Sequence, residues 1–97
     1  MKMKIINKDV LAKAIKKYGV EKQLLVCMEE PAELIQAISK VGRYPEDSTR
    51  MQDLIEEMAD VTICLEYMKL IYNIRQEEID GWINRKVKRI SKKIKEL

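Results

Sequence analysis

Apolar residues recur every three or four positions along most of this chain, the spacing that places side chains on one face of an α-helix. The pattern predicts four helices, over residues 8–18, 20–40, 49–72 and 76–96. Asn7 is the predicted N-cap of the first helix, Gly19 its C-terminal stop, and Asp47 or Ser48 the cap of the third. The second is expected to kink at Pro31 but not to break there, because its apolar stripe stays in phase on both sides. We therefore expect an all-α fold, a bundle of four to five helices.

The second half of the third predicted helix is apolar around nearly its whole circumference. The residues concerned are Val61, Ile63, Cys64, Leu65, Tyr67, Met68, Leu70, Ile71 and Tyr72. A helix that is apolar on all sides must be buried on all sides, and a chain of 97 residues has little else to cover it. We expect a homo-oligomer in which a second subunit covers the far side.

Four carboxylates stand in the apolar stripes of the two central helices. Glu30 and Glu33 lie in the stripe of the second helix, and Glu57 and Asp60 in that of the third. Each pair is three residues apart and so shares one helix face. Because an unpaired charge in apolar surroundings is costly, we expect a cation between the two helices. All-oxygen ligands favour Mg²⁺, with Mn²⁺ as the alternative, over zinc or copper.

The same carboxylates also have a purely structural interpretation. They would pair with Lys86, Arg89 or Lys93 of the last helix in an interhelical ion network, and single E-x-x-E patterns are common on solvated helices. Two such pairs, both in register with an apolar stripe, are much less common. The pattern therefore favours the metal site over the network.

Composition narrows the class of protein further. With 46% hydrophobic and 36% charged residues, residues 1–97 are expected to form a single soluble domain. Cys27 and Cys64 form no C-x-x-C pair and lie on apolar faces, which favours reduced core thiols in a cytosolic protein over a disulfide or redox role. The absence of histidine removes Ser-His triads and most zinc sites. No apolar run approaches a membrane span and no signal peptide is recognisable, so we expect no membrane association and a cytoplasmic location.

Two short motifs make the chain similar to a known family. Glu29-Glu30-Pro31-Ala32-Glu33 reads E-E-x-x-E, and Glu57-Met58-Ala59-Asp60 reads E-x-x-D. Together they resemble the motif of the MazG-like, all-α nucleoside triphosphate pyrophosphatases. The flanking segments that agree are Tyr18-Gly19, Gln23, Leu34-Ile35-Gln36-Ala37, Ala59-Asp60-Val61-Thr62-Ile63 and Lys86-x-x-Arg89. The resemblance covers nearly the whole chain.

The resemblance implies a reaction and a role for each matching residue. The positions that match the Mg²⁺ ligands of the family are Glu30, Glu33, Glu57 and Asp60. Glu29 matches an acidic residue that orients or deprotonates the attacking water, and Lys86 and Arg89 match basic positions that contact the triphosphate. The implied reaction is hydrolysis of a (d)NTP to a nucleoside monophosphate and pyrophosphate by a dimer or a dimer of dimers. Without the resemblance, Glu29 is a solvent-facing residue, and Lys86 and Arg89 belong to a solvated basic face.

Two other functions remain open at this stage. One is a non-catalytic helical oligomer of the same family that binds nucleotide or a partner protein. Retention of all four ligand positions argues against it. The other is a nucleic-acid-binding module that uses the basic last helix. Its basic residues are spread around the helix and lack interleaved aromatic residues, so nucleic acid is the less favoured partner.

Overall fold

The computed structural model describes residues 6–96, and every regular element in this range is a helix. The elements are α1 (Lys8–Tyr18), α2 (Val20–Arg43), α3 (Ser48–Tyr72) and α4 (Gln76–Lys95). The predicted all-α fold is confirmed, and all four predicted helices begin within one residue of their observed starts. α2 passes through Pro31 without a break, which confirms that part of the prediction.

Local hydrogen bonds explain where α1 and α3 begin and why α1 ends. The Asn7 side chain accepts a hydrogen bond from the backbone N–H of Asp9 at 3.1 Å, and that of Asp47 accepts one from Thr49 at 2.9 Å. Both satisfy N–H groups that have no partner within the helix. Gly19 has φ +94°, a backbone conformation that favours glycine, and it separates α1 from α2. The predicted caps are confirmed.

The end of α2 differs from the prediction. The helix runs to Arg43, three residues past the predicted Lys40, with Gly42 inside it. Glycine ends a helix when it adopts a left-handed conformation, and Gly42 does not. The stop comes from Pro45, because the residue before a proline is excluded from the α region. Tyr44 accordingly has φ −130° and ψ 63°.

α2 and α3 form an antiparallel hairpin, with α1 packed across both. The two cysteines contact the facing helix between α2 and α3. The Cys27 thiol donates a hydrogen bond to the Cys64 carbonyl at 3.5 Å, and the Cys64 thiol contacts the Val26 carbonyl at 3.9 Å. α4 packs less closely against each of the other described helices than α1, α2 and α3 pack against one another.

The core of a single chain is small. Its buried residues within the described range are Leu11, Gln23, Cys27, Ala37 and Cys64. Both cysteines are free and buried, which confirms the predicted core thiols. Burial, together with the neighbouring Cys27, raises the pKa of the Cys64 thiol to about 12. The thiol therefore stays protonated and unreactive at neutral pH.

A single chain leaves much apolar surface open. Its accessible surface is 8344 Å², whereas a compact monomer of this mass exposes about 5,800 Å². The radius of gyration is 16.6 Å, against about 12.5 Å for a compact domain of this length. On α3, Leu65 is 51% exposed and Tyr72 57% exposed. None of the described helices is both long and apolar enough to cross a membrane.

Candidate metal centre

Three carboxylates meet across the α2–α3 hairpin. Glu30 and Glu33 of α2 and Glu57 of α3 each offer an oxygen, and these three oxygens lie within 4.8 Å of one another. Glu30 is one helical turn beyond Cys27, and Glu57 is two turns before Cys64. Because the helices are antiparallel, the register in which the cysteines contact the facing helix also brings the carboxylates together. Asp60 is not part of this close group, although its charge acts on both Glu30 and Glu57.

Two oxygens of the cluster are buried without a partner. Oε1 of Glu30 and Oε2 of Glu57 are shielded from solvent, and when all the carboxyl groups are ionised neither oxygen accepts a hydrogen bond from the described residues. A buried acceptor without a donor is destabilising, and a divalent cation would satisfy both oxygens at once. Carboxylate oxygens are also the ligands that Mg²⁺ and Mn²⁺ prefer. The donor set fits such an ion.

The interhelical ion network proposed as the structural alternative does not form within residues 6–96. No lysine or arginine nitrogen of this range lies within 4.0 Å of a carboxylate oxygen of Glu30, Glu33, Glu57 or Asp60. The acidic residue of α3 that does form ion pairs is Glu66, outside the cluster. Within residues 6–96, the cluster thus carries its negative charge without an ion pair to a basic side chain.

The crowding of these carboxylates changes their proton affinity. Burial, followed by hydrogen bonding to Glu33 and Glu57 and the charges of Glu33 and Asp60, raises the pKa of Glu30 from 4.5 to about 7. Burial is also the largest cause that raises the pKa of Glu57. A hydrogen bond with Glu30 lowers it, and the charges of Glu33, Asp60 and Glu56 raise it. Both shifts have the direction expected of clustered carboxylates that lack a cation.

A pH dependence of stability follows for the metal-free protein. Between about pH 4.5 and 7, folded Glu30 binds more protons than it does in the unfolded chain, so its contribution to stability decreases as pH rises. Thermal melts in EDTA across this window should therefore show wild-type Tm falling relative to that of Glu30→Gln as pH increases. A constant difference between the two proteins would contradict the raised pKa.

A groove beside the cluster contains residues that the sequence did not single out as site residues. Its volume is about 260 Å³, and its lining residues are Glu33, Gln36, Ala37, Lys40, Asp53, Glu56 and Glu57. Gln36 and Lys40 follow Glu33 at spacings of three and seven, and Asp53 precedes Glu57 by four. These spacings put each residue on the same helix face as a cluster carboxylate. In the sequence, this spacing marks them as neighbours of the cluster residues on their own helix, although it does not show the groove between the helices.

The remaining predicted site residues lie outside the cluster. Glu29 is exposed on α2, one turn before Glu33, and does not line the groove. Lys86 and Arg89 are exposed on α4. This helix packs less closely against the hairpin than α1 does. Within one chain, the structure brings together Glu30, Glu33 and Glu57 with Asp60 nearby, and leaves Glu29, Lys86 and Arg89 apart from them.

The fold and site define an all-α helical hairpin with a carboxylate cluster between its two long helices. Comparison of the chain with protein-family models, with curated proteins and with solved structures found no match. The resemblance to the MazG-like family therefore rests on the motif residues and their flanks.

Proposed function

We propose that this protein is a Mg²⁺-dependent nucleoside triphosphate pyrophosphohydrolase, which hydrolyses a (d)NTP to a nucleoside monophosphate and pyrophosphate. The observation that carries the proposal is that Glu30 and Glu57 each have a buried oxygen without a hydrogen-bond partner among the described residues. These two carboxyl groups and that of Glu33 each bring an oxygen within 4.8 Å of the others. Such a group needs a cation. The open groove beside it gives a substrate access to the same place.

The proposed chemistry assigns distinct tasks to the acidic residues. Glu30, Glu33 and Glu57 hold Mg²⁺, or Mn²⁺ as the alternative, and Asp60 completes the set. The bound ion supplies charge neutralisation at the phosphate oxygens and lowers the pKa of water, which a site without histidine needs. Glu29, one turn from Glu33, orients the attacking water and accepts its proton. Phosphoryl transfer depends mostly on positioning and charge neutralisation. A metal ion together with these acidic residues provides both.

Lys86 and Arg89 enter the proposal through a second subunit. Both are exposed on a helix whose described residues carry no buried side chain. Within one chain, neither residue lines the hairpin groove, and their helix does not pack closely against the hairpin. A partner chain that docks on the exposed apolar faces would give α4 a surface to pack on and bring these cations to the triphosphate.

We infer a dimer or tetramer from the exposed apolar surface. The chain exposes about 2,500 Å² more total surface than a compact monomer of its mass. For two chains together the excess is about 5,000 Å², at the upper end of the total area that obligate homodimers bury. Sedimentation at micromolar concentration should give a dimer or larger species. Leu65→Glu, in the middle of the exposed α3 face, should shift it towards the monomer, whereas Lys16→Glu on α1 should not. A wild-type monomer at these concentrations would contradict the inference.

The function is tested with a panel of (d)NTPs and Mg²⁺, scored for pyrophosphate release. In ¹⁸O-labelled water, the label appears on the monophosphate if water attacks the α-phosphorus and on pyrophosphate if it attacks the β-phosphorus. Release of inorganic phosphate and a nucleoside diphosphate would exclude cleavage between the α and β positions. Mg²⁺-dependent nucleotide binding without any hydrolysis would support the non-catalytic oligomer instead.

Nucleic-acid binding is the second candidate function, favoured by one observation on α4. Seven basic residues and no acidic one lie between residues 81 and 95, all of them exposed: Arg85, Lys86, Lys88, Arg89, Lys92, Lys93 and Lys95. Such a surface attracts phosphate backbones with a steep salt dependence. A salt titration of DNA binding separates this function from the enzyme, because the hydrolase makes no use of DNA.

A further inference from the structure

The groove beside the carboxylate cluster contains one basic residue among its described lining residues, Lys40. It lies seven residues after Glu33, on the same face of α2 and about 10 Å further along the helix axis. Lys40 is half-buried, and Ala37 lines the groove one turn before it. One wall of the groove thus begins at a carboxylate of the cluster and ends at a lysine.

The opposite wall of the groove is acidic, yet Lys40 makes no ion pair with it. Asp53, Glu56 and Glu57 all line that wall, and none of their carboxylate oxygens lies within 4.0 Å of the Lys40 ammonium group. The lysine therefore stands in the groove with its three donors free of carboxylate contacts from the described residues. A ligand that enters the groove meets a cation at one end and the carboxylate cluster at the other.

We propose that Lys40 binds the terminal phosphates of the triphosphate substrate, and so selects triphosphates over monophosphates from within the same subunit as the metal ligands. This inference rests on the proposed function. When the α-phosphate lies at the cluster, the rest of the triphosphate extends along the groove, and the long lysine stem covers the remaining distance to it. An ammonium group is a suitable point charge for phosphate oxygens. Lys40 is thereby a substrate-binding residue independent of Lys86 and Arg89.

The test compares Lys40→Met with wild type, because Met keeps an unbranched apolar stem along the groove and removes the charge. Affinity for an α,β-methylene nucleoside triphosphate, measured by calorimetry with Mg²⁺, should fall about 10-fold or more, the scale of a lost charge-assisted hydrogen bond. Affinity for the monophosphate should stay unchanged. KM for the triphosphate should rise by a similar factor, and inhibition by pyrophosphate should weaken in parallel.

Two variants control for charge and for folding. Lys22→Met removes a lysine from the same face of α2, five turns away and outside the groove, and should leave all these values unchanged. Lys40→Arg should restore most of the affinity for the triphosphate analogue. The Mg²⁺-induced rise in Tm should persist in Lys40→Met, because the lysine does not bind the ion.

The outcomes separate this inference from the proposed function. Unchanged analogue affinity in Lys40→Met, with active wild type, overturns the role of Lys40 and leaves the hydrolase standing. Wild type that binds the analogue but releases no pyrophosphate overturns the hydrolase, and the affinity of Lys40→Met still decides the lysine's role. Equal loss of monophosphate and triphosphate binding overturns the selection of terminal phosphates. Wild type that fails to bind the analogue overturns both.

Discussion

Glu57→Gln is expected to abolish stabilisation by Mg²⁺ and pyrophosphate release together. At a Mg²⁺ concentration 100 times Kd, an ion that binds only the folded state adds about 2.7 kcal/mol of stability. In a domain of this size, that raises Tm by about 10 °C or more. The Glu57 carboxylate contributes a buried oxygen that has no hydrogen-bond partner in the described part of the chain, and an amide in its place removes the charge while preserving the shape. The rise in Tm with Mg²⁺ should therefore disappear.

The same substitution should reduce pyrophosphate release by about 10³-fold or more. A bound metal ion supplies several kcal/mol of transition-state stabilisation, and each 1.36 kcal/mol is about tenfold in rate. Without metal, Glu57→Gln should melt no lower than wild type, because it removes one of several mutually repelling charges. Differential scanning fluorimetry with and without Mg²⁺ measures both effects on Tm.

Glu66→Gln is the matched control for this experiment. Glu66 is a half-buried acid on the same helix, but it pairs with Lys69 at 2.7 Å and lies 4.0 Å from Lys8. Its loss should lower the metal-free Tm and leave the response to Mg²⁺ intact. If Glu57→Gln retains the full Mg²⁺ response, the ion binds elsewhere and the carboxylate cluster is structural.

Glu29→Gln is expected to lower turnover by about 10²-fold while metal and nucleotide binding persist, the scale of losing a general base. Glu29 lies one turn before Glu33 but outside the close group of carboxylates. Its removal should therefore change kcat without changing the Mg²⁺-induced rise in Tm. Single-turnover kinetics together with thermal melts measure the two effects separately.

Glu56→Gln is the comparison that locates the base. Glu56 lines the groove beside Glu57, so it is the nearest acidic alternative if Glu29 takes no part. Full activity in Glu29→Gln with a large loss in Glu56→Gln would move the base to α3. The class of reaction would be unaffected by that outcome.

The helices and their caps were predictable because they depend on local interactions. Asn7 and Asp47 cap the helices that follow them, and Gly19 separates α1 from α2, as a reading of neighbouring residues predicts. The exception is the end of α2, where Gly42 remains helical and the chain turns only before Pro45. Glycine permits a helix to stop, whereas proline enforces the stop.

The sequence alone determined which carboxylates could meet. Helical periodicity put Glu30 and Glu33 on one face and Glu57 on another, each in line with apolar residues that pack against the partner helix. Only the tertiary structure decided which oxygens approach. The antiparallel register of α2 and α3, in which Cys27 contacts Cys64, places Glu57 in the close group and leaves Asp60 outside it.

The sequence could not predict which residues of separate helices lie close together. Periodicity gives the face of a residue on its own helix, but neither the distance to another helix nor the groove between them. Lys40 could therefore be recognised as a groove residue only from the position of α3, which forms the other side of the groove. For the same reason, the motif could match Lys86 and Arg89 to a substrate, whereas the packing left α4 apart from the hairpin within one chain. The distance between two helices is set by the side chains that pack between them, and local sequence does not encode it.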